Sequence, residues 1–134
     1  MFFEVLFVLV YVIYAAVALW SLGQVRSFLA QTPTIADARS LERFKALARA
    51  QMYLALFVIA ALGAGMIVGL VLITRHGLLA LAVVLVVNAL VFGFAMYYKT
   101  FETKARSLRA GSEALDREYR QICQTWVKRP FPDF

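Results

Sequence analysis

The chain contains one cysteine, one histidine and three long stretches with no charge at all. A single thiol, Cys123, cannot close an internal disulfide, so no secreted disulfide framework is available. His76 alone cannot supply the three protein ligands of a typical catalytic zinc site. It also leaves no membrane-buried imidazole to hold haem or chlorophyll. Asp, Glu, Lys and Arg are missing from the apolar runs, which removes proton relays and ion-pair gates. No Gly-rich phosphate loop is present, and no Ser–His or Cys–His pair is plausible. The chain therefore reads as a non-enzyme with no cofactor and no metal.

What is present in abundance is hydrocarbon. The apolar fraction is 63% in 134 residues, and the mean hydropathy is +0.75. Both exceed the usual mix of a soluble domain. The charge-free runs are Val5–Leu22, Met52–Ile73 and Leu78–Tyr98. At about 1.5 Å per residue each matches a hydrocarbon layer of roughly 30 Å. Backbone groups in lipid must be paired within their own segment, so the runs must be helices. They do not alternate in polarity, which excludes a barrel. The expected fold is an all-α membrane protein of one domain with three spans, at about residues 3–22, 52–73 and 78–98. Ala16-Val17-Ala18 resembles a leader-cleavage site. Glu4 in place of a basic n-region and the continuation through Leu19, Trp20 and Leu22 favour a retained span.

The basic residues are one-sided. Arg26, Arg39, Arg43, Lys45 and Arg49 follow the first run, and eight more, from Lys99 to Arg129, follow the third. Only Arg75 lies between runs two and three. The positive-inside bias places the N-terminus outside and both hydrophilic segments, 23–51 and 99–134, in the cytoplasm, in a bacterial inner (plasma) membrane. Trp20, Tyr53, Tyr97 and Tyr98 fall at the matching interface, where amphipathic rings prefer to sit. Acidic residues are interleaved with the basic ones, so topology explains the +6 net charge without nucleic acid. Weak attraction to anionic lipid is the expected consequence.

Thr74-Arg75-His76-Gly77 is a short connection, so spans two and three are expected to form an antiparallel hairpin. The hairpin is expected to extend into the cytoplasm. Pro33-Thr34 marks a helix start, and nothing breaks the chain from Ile35 to Leu62, which predicts one helix from about Ile35 to about Ile73. Beyond span three, Phe101, Ala105, Leu108, Ser112, Leu115, Tyr119, Ile122 and Trp126 follow heptad spacing. This predicts a coiled-coil-like tail over 99–127 with Gly111-Ser112 as its weak point, and an extended terminus at 128–134. The tail has three candidate mates: the Leu41, Phe44, Ala48, Gln51 stripe of its own chain, a partner protein or second copy, or the membrane surface. Leu115, Tyr119, Ile122 and Trp126 are the candidate partner-docking residues, with Tyr119, Ile122 and Trp126 expected to remain free.

Within the runs, Ala61, Gly65 and Gly69 recur at every fourth position, a helix-contact pattern. Asn88 is the one strongly polar side chain deep in the third run, and Tyr11 and Tyr14 lie mid-way along the first. A tyrosine hydroxyl of span one is expected beside Asn88. The expected partners are lipid, other membrane subunits or further copies of the chain, and a cytoplasmic protein. Three spans with an outside N-terminus and a basic tail resemble the layout of phage holins, which implies a self-assembling pore. The segment order also resembles YidC-type insertases and ExbB/TolQ-type motor proteins. The insertases' groove arginine and the motor proteins' polar lining have no counterpart here. Abundant contact surface without reactive groups points first to a non-catalytic subunit that holds a larger membrane assembly together.

Overall fold

The three charge-free runs and the acid–base tail separate into four helices in the computed structural model, which describes residues 1–134. These are α1 (Phe2–Gln31), α2 (Ala38–His76), α3 (Leu78–Ala105) and α4 (Glu113–Lys128). The first three are long and apolar enough to cross a membrane. At 39 residues α2 is the longest, about 58 Å by helical rise. It projects well beyond any single hydrocarbon layer. The end of the molecule carrying residues 23–51 and 99–134 is called the basic end below; the other is the turn end.

Helix α2 starts later than Thr34 suggests. Asp37 is its N-cap, accepting the Ser40 amide at 2.7 Å. The preceding residues are engaged elsewhere. The Ile35 amide donates to the Arg109 carbonyl, and the Gly111 amide donates to the Ile35 carbonyl, both at 2.8 Å. This isolated parallel bridge joins the α1–α2 loop to the α3–α4 loop. A Cβ on Gly111 would lie 2.9 Å from the Ala36 carbonyl oxygen, so only glycine lets the two loops close. At the other end, α2 passes into α3 through Gly77 alone, at φ +66°, a left-handed geometry that favours glycine.

The expected helical tail over 99–127 is interrupted. Helix α3 stops at Ala105 and residues 106–112 are not helical. Ser112 restarts the helix by accepting the Leu115 amide at 3.3 Å. Glu113–Arg117 and Asp116–Arg120, each at 2.7 Å, then brace α4. Helix α4 folds back against α2 and does not extend the line of α3. A continuous coiled-coil seam from α3 to Trp126 therefore does not form. The bend at Gly111-Ser112 turns its second half onto the Leu41–Gln51 stripe.

Helix α1 packs chiefly on α2, while α3 touches both. The main core lies at the basic end. Phe44 and Ile35 are fully buried at its centre, among Val25 and Phe28 of α1, Ala105 of α3, and Tyr119 and Ile122 of α4. A smaller cluster of Phe7, Val68 and Leu72 holds the turn end.

Candidate functional site

Gly65 and Gly69 of α2 are spent inside the chain. A Cβ on Gly65 would sit 3.0 Å from the Tyr11 ring of α1. One on Gly69 would sit 3.3 Å from Val84 of α3 and 3.5 Å from Phe7 of α1. Gly69 thus marks the point where all three long helices converge. Ala61, one turn before Gly65, is only half-buried.

Convergence there brings the polar pair together. The Tyr11 hydroxyl donates to Asn88 Oδ1 at 3.3 Å, while Asn88 Nδ2 donates to the Val84 carbonyl at 2.8 Å. Tyr14 does not join them. It faces the α1–α2–α3 interior nearer the basic end, and its hydroxyl makes no hydrogen bond within the chain.

A second polar junction lies where α2 leaves its apolar run. Gln51 is 3% exposed. Its Oε1 accepts both the Ser21 and Tyr98 hydroxyls, and its Nε2 donates to Gln24 Oε1 at 3.2 Å. One amide therefore ties α1, α2 and α3. Sequence reading placed Gln51 in a packing stripe and missed this role. The available signal was a lone amide at the edge of the second run, in register with Tyr98 beyond the third.

The candidate docking residues lie mostly inside the molecule. Tyr119 and Ile122 are each 2% exposed, and Leu115 and Trp126 are half-buried against the same core. The expectation that Tyr119, Ile122 and Trp126 stay free for a partner is corrected here, because α4 folds back. Phe44 takes the Tyr119 ring at 4.7 Å and the Trp126 ring at 5.9 Å. The Tyr119 hydroxyl donates to the Ala105 carbonyl at 2.6 Å and accepts the Leu108 amide at 3.0 Å. It thereby satisfies backbone groups that the end of α3 leaves open. Burial pushes the Tyr119 phenol well above its usual range, and burial likewise raises the Cys123 thiol. A raised thiol is mostly protonated and a poor nucleophile.

The lone histidine also has a partner. His76 Nε2 lies 2.8 Å from Glu4 Oε1, and the Arg75 guanidinium sits 4.7 Å from the Phe3 ring centre. The turn between α2 and α3 is thus latched to the start of α1. At the basic end, Arg26 and Lys104 flank the Phe101 ring at 5.6 and 5.4 Å. They border an open cleft of about 520 Å³.

These arrangements hold helices; none presents an activated nucleophile. No group of three His, Cys, Asp or Glu side chains converges. No protein-family model, curated protein or solved structure matches the chain.

Proposed function

We propose that this chain is a non-catalytic integral membrane subunit that assembles or stabilises a larger membrane complex. The carrying observation is the outer side of α3. Within its apolar stretch no residue is buried, although α3 lies against both α1 and α2. Ala82, Ala89 and Gly93 share one exposed stripe. At 3.6 residues per turn it lies opposite Val84, Asn88 and Tyr98, which face the chain's own helices. A Cβ on Gly93 would meet nothing within 4 Å. Small residues on an unused face permit a second helix to approach closely, and the internal stripe at Gly65 and Gly69 shows the same chemistry already satisfied.

In this reading α2 and α3 form an antiparallel hairpin through an inner (plasma) membrane. The N-terminus lies outside and the basic end in the cytoplasm, as the positive-inside bias favours. The basic-end core stiffens the protruding part of α2 and presents its basic rim to anionic headgroups. A water-filled pore is the weaker reading, because every exposed side chain of α3 from Leu78 to Met96 is apolar.

The test is purification in mild detergent after cross-linking in cells. A stoichiometric complex is expected, and Gly93→Leu should disperse it without changing the chain's own thermal unfolding. Recovery of monomer alone, before and after cross-linking, would overturn the proposal. Dye leakage from vesicles containing only this chain would favour the pore.

A further inference from the structure

Helices α1 and α3 both continue past their apolar runs at the basic end. Arg26 lies four residues beyond Leu22, and Lys104 six beyond Tyr98. By helical rise these are about 6 and 9 Å past the ends of the two runs. The headgroup layer of a bilayer is roughly 5–8 Å deep on each side, so both charges sit near its level. Both line the open cleft of about 520 Å³. Leu29, Phe101 and Leu108 give that cleft an apolar floor, half-buried against the basic-end core.

Two cations converge here without a counter-charge. Arg26 and Lys104 approach the same Phe101 ring from different helices, and no Asp or Glu lines the cleft. Like charges held together repel, and more strongly beside hydrocarbon, where the dielectric is low. No carboxylate at this end is left to relieve them. Glu102, the nearest in sequence to Lys104, pairs with Arg106 at 3.3 Å. Glu42 and Glu118 pair with Lys45. Glu113, Asp116 and Asp133 each pair with an arginine four residues away, and Asp37 caps α2.

Two neighbouring clefts lack this combination. One holds Lys45, Lys128 and Arg129, but Glu118 and Asp133 line it too. The other has Arg43 as its only charge. A ring face attracts cations weakly at an exposed site, so Phe101 gathers Arg26 and Lys104 without neutralising them. A phosphate would neutralise them, because its oxygens take charge-assisted hydrogen bonds from both side chains. Free phosphate would leave the apolar floor wet. A phospholipid covers the floor as well, and an anionic one brings no third cation to the rim.

We propose that this cleft binds one anionic phospholipid, its phosphate between Arg26 and Lys104 and the start of its acyl chains on Leu29, Phe101 and Leu108. Basic pockets between membrane helices take such headgroups by the same chemistry. The proposal rests on the membrane reading above and narrows a diffuse attraction to a single site. It does not depend on the docking face of α3.

The experiment titrates the full chain, in dodecyl maltoside, with dioleoyl phosphatidylglycerol and follows it by native mass spectrometry. One saturable adduct is expected, tighter than any formed with dioleoyl phosphatidylcholine. Arg26→Gln combined with Lys104→Gln should weaken it roughly tenfold or more, the loss of two charge-assisted contacts. Arg39→Gln combined with Lys128→Gln removes the same charge from exposed positions outside the cleft and should leave it unchanged. Arg26→Lys, which keeps the charge, should retain most of the binding. Inorganic phosphate and glycerophosphoglycerol carry the anion without the chains and should compete poorly. Equal weakening by the two glutamine pairs would mean diffuse attraction to the whole basic end and would overturn the proposal. Displacement by inorganic phosphate at the lipid's own concentration would overturn it too, by assigning the cleft to the free anion. A chain that inserts into phosphatidylcholine vesicles yet shows no preference for phosphatidylglycerol loses this site and keeps its membrane reading.

Discussion

A methyl group at Gly111 would land 2.9 Å from the Ala36 carbonyl oxygen, a backbone atom that cannot swing aside. Gly111→Ala should therefore destabilise the basic end by about 1–3 kcal/mol, the usual cost of overpacking. Gly63→Ala, where the same methyl meets nothing within 4 Å, should be neutral or slightly stabilising through helix propensity. Parallel thermal unfolding of the two variants checks the contrast. Equal losses would mean that loop closure is not what Gly111 provides. In the membrane interior, Asn88→Leu removes the Tyr11 acceptor. It should cost about 0.6–2 kcal/mol, because interhelical hydrogen bonds in lipid are modest. Denaturant titration in detergent reads this directly, and an unchanged midpoint would show the 3.3 Å contact to be idle. At this scale the sequence was informative about polarity and silent about pairing. Asn88 stood out as the lone amide in its run, but nothing local distinguished Tyr11 from Tyr14 as its partner. That choice depends on the angle at which α1 crosses α2, which the glycines at 65 and 69 set jointly with the side chains facing them.

Helix α4 depends on Phe44 and Tyr119 more than on its own charge pairs. The exposed Glu113–Arg117 and Asp116–Arg120 pairs contribute a few tenths of a kcal/mol each, whereas Phe44→Ala in a fully buried site should cost about 3–5 kcal/mol. Limited proteolysis should then cut the 106–112 loop first. Alkaline titration offers a second probe. Folding raises the Tyr119 and Cys123 values above their ordinary 10.0 and 9.0. The folded state therefore holds those protons more tightly than the unfolded chain. The stability these two groups contribute should be fully present below about pH 9 and decline as pH rises through the ordinary thiol and phenol range. The double variant Tyr119→Phe, Cys123→Ala should flatten that decline in a pH series of melts. The apolar helices were legible because lipid crossing imposes a length and forbids charge. The heptad spacing of the tail was legible too, but its continuity was not. A seven-residue repeat persists across Gly111-Ser112 on paper. In three dimensions, caps and a glycine-dependent loop contact override it. Gln51 was missed for a related reason: its three partners come from two other helices.

Taken whole, the molecule has two unlike ends. One is a single-glycine turn latched by Glu4 and His76; the other is a knot of loops and helices around Phe44. If the basic end faces the cytoplasm, cysteines placed at Arg75 and Arg117 should react with an impermeant reagent from opposite sides of sealed vesicles. Reaction of both from one side would refute the orientation and the docking scheme built on it. The knot gathers Val25, Ile35, Phe44, Ala105 and Ile122, so its parts are spread along nearly the full chain. During synthesis Phe44 is made well before Tyr119 and Ile122, which follow it by 75 and 78 residues. Phe44 must then wait uncovered for the last segment to be made. A chain that ended before α4 would carry an unsatisfied aromatic handle, a form that chaperones and proteases can tell from the finished protein.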